Sequence, residues 1–306
     1  MPHSFTAIAL LQMAAAYAAP PTVSAPLLGF GLSGGALTRY MGIPGACYST
    51  PDADTTQYQL LRTPSGTIGA LLVPASGQPR LVYRAENSTL TVPLPDDPSQ
   101  VAISPSAAYF AAASATQLLV FDRTGVLRGS TQLASMAITA ADITELAVAD
   151  QGDTLVATAT TFWYAPKPGA AFIAVPLALS HVNFAPRDHL LVAYDTAAAR
   201  IIAIHPTSAF AVEPLITSHD APLAPTALHF SADGTAVWLN DPTLGLVRYD
   251  LPTPQSTPFP IAAGTLGPTI APGVFAWSGS DAGAAVLDTT QPSPTVFLVP
   301  ARPVQQ

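Results

Sequence analysis

The chain has very little cysteine, lysine and charge of either sign, and each shortage excludes something. Only one of its 306 residues is a cysteine, Cys47, so no disulfide can form within the chain. Lys167 is the single lysine, and charged residues make up 10 % of the composition. The net charge is −8, and no basic stripe is present that could bind a phosphate backbone. We therefore expect no nucleic-acid partner.

Two interpretations of Cys47 follow from its isolation. A lone cysteine is commonly a small buried hydrophobe, because free thiols are among the most buried side chains. The alternative is a thiol that forms an intermolecular disulfide or carries a lipid, but Cys47 lies far from the start of the chain and no lipobox precedes it.

Apolar runs long enough to span a bilayer are also lacking. The longest candidate, Phe5–Ala19, has about the length of the apolar region of a signal peptide and is too short for a membrane helix. Ala16, Tyr17 and Ala18 form a small-x-small cleavage pattern, although no Lys or Arg precedes the apolar run. We predict a signal peptide over residues 1–18, a mature chain of residues 19–306 without a membrane span, and a secreted or periplasmic location. The alternative is a misplaced start codon or an uncleaved N-terminal helix.

What the chain does contain is a recurring sequence pattern. A short apolar strand is followed by a tight turn of small or polar residues and then by a second apolar strand. The clearest copy is LHFSADGTAVWLND at Leu228–Asp241, and further copies lie at Val101–Ser114, Leu146–Ala159 and Val182–Asp195. A repeat at a fixed period indicates that one supersecondary unit is stacked many times.

The period of the repeat predicts the architecture. The first strands register near Leu60, Val101, Leu146, Val182, Leu228 and Leu266, which is 36 to 46 residues apart. In each unit a third apolar strand follows, such as Arg80–Arg84 or Gly245–Asp250, and then a more polar fourth strand, such as Thr89–Leu94. A four-stranded propeller blade takes roughly 40–45 residues. We therefore predict an all-β protein, a single β-propeller of four-stranded blades over residues 19–306.

The turn residues carry a resemblance to a known family. The SADG of Ser231–Gly234, followed one strand later by Tyr249 and Asp250, resembles the "S-P-D-G … Y-D" repeat of bacterial YVTN-type and WD40-like β-propellers. Further matches are Ser104-Pro105, Ala185-Pro186, Phe121-Asp122 and Leu287-Asp288. The resemblance implies that the first group forms the turn between the two inner strands, and that the Asp closes the hairpin between the third and fourth strands.

The number of blades depends on one extra hairpin at Leu28–Gly42. Six complete units account for Leu60 to Pro300, and the hairpin resembles the third and fourth strands of a unit whose first two are missing. If strands from both termini share one blade, the ring has seven blades, which we favour. If the hairpin lies outside the ring, there are six.

Aromatic residues and one loop dipeptide are the candidate binding features. Phe162, Trp163 and Tyr164 form the densest aromatic cluster, and exposed aromatic residues are enriched at interfaces. Packing between blades is the structural alternative for this cluster. His219 and Asp220 lie in a loop between blades, where they could act as a pair or remain solvated.

No residues are predicted to be catalytic or to bind a metal or a cofactor. The histidines lack ligand spacing, and there is no G-x-S-x-G sequence. Asp52 and Asp54 could bring two carboxylates together, but without the Gly and distal Glu of a calcium loop they fit a polar loop between blades better.

Three functions remain open at this stage. The leading hypothesis is an exported, non-catalytic propeller that binds a protein or cell-envelope ligand, or serves as a scaffold. The alternative is a propeller enzyme, lactonase-like or hydrolase-like, whose site is assembled from several blades. The third is a subunit of a larger surface assembly, with an oligomeric state that the sequence leaves open. One structural observation would favour a metal-dependent enzyme, namely that at least three residues of an acidic and histidine set meet at the mouth of the channel. The set comprises Asp52, Asp54, His181, His219 and Asp220.

Overall fold

The computed structural model describes residues 25–186, 189–206, 210–217, 223–251, 255–259, 264–279, 285–291 and 293–300. The predicted signal peptide lies outside these residues. Within them, no helix combines the length and apolar character that crossing a membrane would require. The only helical turns described are two short 3-10 helices, Leu133–Met136 and Ala140–Asp142.

Seven antiparallel sheets make up the fold, and each is a consecutive stretch of chain. The first three blades contain the strands β1 (Leu27–Ser33), β2 (Ala36–Ile43) and β3 (Ala46–Pro51), then β4 (Tyr58–Arg62), β5 (Ala70–Pro74), β6 (Arg80–Arg84) and β7 (Thr89–Pro93), then β8 (Gln100–Ile103), β9 (Tyr109–Ala113), β10 (Gln117–Asp122) and β11 (Leu127–Gln132).

The fourth and fifth blades contain β12 (Glu145–Val148), β13 (Thr154–Ala157), β14 (Phe162–Ala165) and β15 (Ile173–Val175), then β16 (Leu179–Phe184), β17 (Leu191–Asp195), β18 (Arg200–His205) and β19 (Ala211–Thr217). The last two contain β20 (Ala227–Phe230), β21 (Ala236–Asp241), β22 (Gly245–Asp250) and β23 (Gln255–Phe259), then β24 (Gly264–Ala271), β25 (Val274–Gly279), β26 (Ala285–Asp288) and β27 (Thr295–Leu298).

The sheets close into a ring through their first strands. Each first strand contacts the first strand of the next blade, and β1 contacts both β24 and β4. Seven apolar clusters, one between each pair of neighbouring blades, hold the ring together. A single four-stranded sheet cannot cover its own two faces, so burial is complete only when every blade has two neighbours. The prediction of a seven-bladed propeller is therefore confirmed.

The role predicted for the extra hairpin is wrong, however. Leu28–Gly42 supplies the first and second strands of blade 1 rather than the third and fourth. The reason is the position of β1 in the ring, where it contacts the first strands of both neighbouring blades, β24 and β4. Leu28 lies in the apolar cluster with Ile270 of blade 7, and Phe30 lies in the cluster with Leu72 of blade 2. Blade 1 shows three strands within the described residues, and the Ser49 N–H donates to the carbonyl of Pro300 at 3.1 Å.

Candidate functional site

The turn residues that carry the family resemblance have structural roles. Ser231 Oγ donates to Asp233 at 2.7 Å, and Asp233 also accepts from the backbone and the hydroxyl of Thr235. Gly234 adopts a positive φ of 75°, which glycine tolerates without a steric cost. The turn therefore joins the first two strands of blade 6, as the resemblance implies.

The aspartates at the ends of third strands close the next hairpin. Asp122 accepts the N–H groups of Thr124 and Val126 at 2.8 and 3.2 Å, and Asp288 accepts that of Thr290 at 2.9 Å. The hydroxyl of Thr124 and other donors around Asp122 outweigh burial and hold the pKa of its carboxyl far below its usual range. These carboxylates are used within the fold.

The aromatic cluster is split between two interfaces. Phe162 and Tyr164 are buried in the cluster between blades 4 and 5, where both rings contact Phe210 edge-on. Trp163 points to the other face of its sheet and packs, partly buried, between blades 3 and 4. This alternation follows from the strand period of two. The burial favours the packing interpretation for Phe162 and Tyr164, and a binding role for the three residues stays a prediction.

Of the other candidate residues, Asp52 and Asp54 lie together in one loop, where the Asp54 N–H donates to Asp52 Oδ1 at 2.8 Å. His219 and Asp220 fall outside the described residues. Asp52 is buried in the loop between blades 1 and 2, where it accepts from Arg39 at 2.5 Å and from Arg84 at 2.9 Å. Asp54 accepts from the Tyr58 hydroxyl at 2.6 Å. Within the described residues no three His, Cys, Asp or Glu side chains lie close enough to hold a metal ion.

Cys47 lies in the cluster between blades 7 and 1 and is 7 % exposed. Burial raises the pKa of its thiol above the ordinary value. Both observations fit a packing role, since a reactive cysteine needs access and a lowered pKa.

The central channel is a cavity that gathers polar groups from several blades. Its volume is about 480 Å³, and the first strands of blades 2 to 7 line it. A first strand has neighbours in its own sheet on one side only, so its free backbone edge faces the channel. The polar side chains that line it include Arg62, Glu145, His181, Asn183, Thr226 and His229.

One end of this channel is crossed by the β4–β5 loop, Thr63–Gly69. The Gly66 N–H donates to the carbonyl of Pro105 in blade 3 at 2.8 Å. A Cβ on Gly66 would lie 3.8 Å from Cβ of Pro186 in blade 5. No blade of the seven-membered ring is farther from blade 2 than blade 5. The hydroxyl of Thr63 also donates to the carbonyl of Thr269 in blade 7. The loop thus spans the channel and contacts blades 3, 5 and 7. We call this the closed end.

The opposite end, where the first strands begin, communicates with solvent. Thr226, immediately before β20, is exposed, and both Glu145 and His181 are half-buried. We call this the open end.

A β-bulge shapes the open end. Ser180 pairs with Tyr194 and Asn183 with Val192, so His181 and Val182 face Ala193 alone. His181 has a positive φ of 51°, which is uncommon outside glycine and requires support from its surroundings. The support comes from the next blade, because the His181 N–H donates to Glu145 Oε1 at 3.2 Å. Bulges of this kind redirect side chains and are frequent beside functional sites.

Deeper in the channel, polar side chains bond the free edges of neighbouring strands. Asn183 Nδ2 donates to the carbonyl of Leu228 at 2.7 Å. The His229 ring stacks on Phe275 with centroids 5.2 Å apart and hydrogen-bonds the backbone of Gly267. Burial, reinforced by the nearby His181, lowers the pKa of His229 to about 4. His229 is therefore neutral at physiological pH.

Arg62 and Glu145 are the basic and the acidic side chain among the described Arg, Lys, Asp and Glu residues that line the channel. Burial lowers the pKa of Arg62, and the negative charge of Glu145 opposes that shift. The two groups therefore interact, yet they form no ion pair within 4 Å in the described part of the chain. Arg62 uses one nitrogen, Nη1, to bond the carbonyl of Leu61 at 3.2 Å.

Sequence reasoning missed most of these residues. The repeat register contained the signal: Glu145 and His181 directly precede the registered positions Leu146 and Val182, whereas Asn183 and His229 directly follow Val182 and Leu228. Polar residues at these positions of a first strand flank the channel. Because these residues belong to different blades, the sequence alone does not show that the closed ring brings them into one channel.

Comparison with known proteins gives the fold and no more. No family model matches the chain. No curated protein matches it at the level of sequence. The β-propeller domain of Cps50 (Swd1) from Myceliophteria thermophila superposes with a TM-score of 0.55 at 10 % identity, covering 80 % of this chain and 87 % of that one.

Two further structures are similar. KlAtg21, solved in complex with the coiled coil of AgAtg16, gives a TM-score of 0.57 at 14 % identity, covering 90 % of this chain and 98 % of that one. A protein from Lactobacillus plantarum gives 0.56 at 13 % identity, covering 90 % and 96 %. The chain therefore has a WD40-like β-propeller fold, and its assignment to the bacterial YVTN type stays a prediction.

Proposed function

We propose that this protein is an exported, non-catalytic binding propeller that recognises a protein or cell-envelope ligand through the open end of its channel. The observation that carries the proposal is the asymmetry of the channel. The β4–β5 loop occupies the closed end, where Gly66 bonds Pro105. At the open end, Glu145 supplies a negative charge, and the β-bulge at His181 redirects the side chains of β16.

A similar solved structure gives support by analogy. KlAtg21 is a structural neighbour, and it was solved bound to a coiled coil of AgAtg16. A protein of this fold can thus hold a protein partner, although fold by itself does not define function.

A matched pair of variants tests which end recognises the ligand. Thr226 is exposed at the open end, and Ser106 is exposed in the β8–β9 turn at the closed end. We expect Thr226→Arg to abolish capture of a ligand from the periplasmic or secreted fraction, because a long cation blocks the channel mouth, whereas Ser106→Arg retains capture. Equal capture by both variants, or loss with Ser106→Arg alone, would contradict the proposal.

Export is tested separately. N-terminal sequencing of the protein isolated from the periplasm or the medium should begin at Ala19. A chain that begins at Met1 and remains in the cytoplasm would refute the export part of the proposal and leave the binding part standing.

The convergence of titratable groups from different blades supports the enzyme alternative. Arg62, Glu145, His181 and His229 come from four blades and line one cavity. If they form a hydrolytic site, the purified protein should hydrolyse ester or lactone substrates, and Glu145→Gln should remove that activity. The absence of turnover above the Glu145→Gln background would leave binding as the function.

A further inference from the structure

The channel contains hydrogen-bonding capacity that the fold does not use. Several of its polar side chains bond the backbone of another blade, as Asn183 bonds Leu228 and Thr63 bonds Thr269. Arg62 and Glu145 differ from them. Each makes one bond to the backbone, through Nη1 and Oε1 respectively. Within the described residues, the other donors of Arg62 and the second oxygen of Glu145 have no protein partner.

These two spare groups have opposite charge and project into one cavity. Arg62 ends the first strand of blade 2, and Glu145 begins that of blade 4. Their charges influence one another, but no direct ion pair within 4 Å joins them in the described part of the chain. Among the described residues, a cation and an anion therefore line the same cavity without pairing with each other.

The shape of the cavity limits the size of the ligand. The β4–β5 loop crosses one end, so an extended chain cannot pass through the ring. The volume of about 480 Å³ lies within the roughly 300–1,000 Å³ of small-molecule sites. Apolar side chains such as Leu61 and Val101 complete the wall.

We propose that the channel binds a small zwitterion of the α-amino-acid type, whose carboxylate pairs with Arg62 and whose ammonium pairs with Glu145. Guanidinium and carboxylate are geometrically matched partners, and hydrogen bonds between charged groups are about twice as strong as neutral ones. His181, beside Glu145, contributes a ring at the mouth of the channel. This inference goes beyond the proposed function and shares with it only access through the open end.

Isothermal titration of the mature protein with individual free L-α-amino acids tests the proposal. Titrating to about 10 mM detects dissociation constants in the millimolar range. The amino acid that binds most tightly is then compared with two analogues, an amine that lacks its carboxylate and an acid that lacks its ammonium group. Each analogue should bind at least about tenfold more weakly, since each lacks one charged hydrogen bond. If no amino acid binds, or if either analogue binds equally well, the proposal is wrong.

Variants then assign each charge to its partner. Arg62→Gln should remove the preference for the zwitterion over the amine analogue, and Glu145→Gln should remove the preference over the acid analogue. Arg123→Gln, at an exposed position of blade 3, should bind as the wild type does. Thermal unfolding confirms that the variants fold. Unchanged preferences in Arg62→Gln or Glu145→Gln would overturn the proposal. The capture of a protein ligand is measured separately, with Thr226→Arg and Ser106→Arg.

Discussion

Removing the charge of Asp52 should loosen the junction between blades 1 and 2. The Asp52 side chain is fully buried and holds Arg39 of blade 1 and Arg84 of blade 2, whose side chains are 33 % and 18 % exposed. Breaking a fully buried ion pair costs about 3–5 kcal/mol, and an exposed pair is worth about 0–1 kcal/mol. Because both arginines retain some solvent, we expect Asp52→Asn to lower the free energy of unfolding by about 1–3 kcal/mol.

Chemical denaturation at pH 7 measures this change, with Asp97→Asn as the control. Asp97 is exposed in the loop before β8, so its substitution should stay within about 0.5 kcal/mol of the wild type. Burial opposes ionisation of Asp52, but the Asp54 N–H and the two arginines outweigh it and lower the pKa of the carboxyl.

The sign of the pH dependence follows from that lowered pKa. The stabilising contribution of Asp52 is fully present above the ordinary carboxyl pKa and is lost as the pH falls through the lower folded-state value. The difference between wild type and Asp52→Asn should therefore shrink below about pH 4. If Asp52→Asn is as stable as Asp97→Asn at pH 7, the ion-paired junction contributes nothing and the reasoning fails.

Two further predictions concern the channel and the closure of the ring. Because the folded-state pKa of His229 is about 4, its stabilising contribution is present above pH 6.5 and is lost as the pH falls towards 4, by up to about 3 kcal/mol. Denaturation at several pH values should show this loss in the wild type and a smaller one in His229→Gln; identical profiles would contradict it. A Cβ at Gly29 would overlap the carbonyl of Ile270 in blade 7, so Gly29→Ala should cost about 1–3 kcal/mol or more. The control is Gly245→Ala, where a Cβ would meet open space but φ is positive at 75°, so the loss of unfolding free energy should be about 1 kcal/mol. Equal losses for the two variants would show that β1 does not close the ring as described.

The fold was predictable because its stabilising pattern is local and repeated. Each apolar strand and each Ser-Ala-Asp-Gly-type turn lies within about 40–45 residues of sequence, so the period alone indicates a blade. The third strands predicted at Arg80–Arg84 and Gly245–Asp250 have the same bounds in the structure. The fourth strand predicted at Thr89–Leu94 ends one residue earlier, at Pro93.

Blade 1 was misassigned for a physical reason. A hairpin taken alone does not show which of its strands lies innermost, since that depends on the packing of Leu28 against Ile270 at the far end of the chain. The contact joins residues separated by almost the whole sequence, and no local pattern encodes it.

The candidate site was largely hidden from sequence reasoning. Arg62, Glu145 and His229 are separated by whole blades, and their chemistry appears only where the first strands converge. Aromatic density does not by itself distinguish packing from binding, and Phe162 and Tyr164 pack at the interface between blades 4 and 5.

Photocrosslinking from the two ends of the ring tests most directly whether recognition occurs at the open end. A photoreactive amino acid is placed at Thr226 in one protein and at Ser106 in a second, and each is irradiated in the periplasmic or secreted fraction. The account predicts a specific crosslinked ligand from Thr226, suppressed by an excess of unlabelled wild type, and none from Ser106. A specific adduct from Ser106 with none from Thr226 would contradict it.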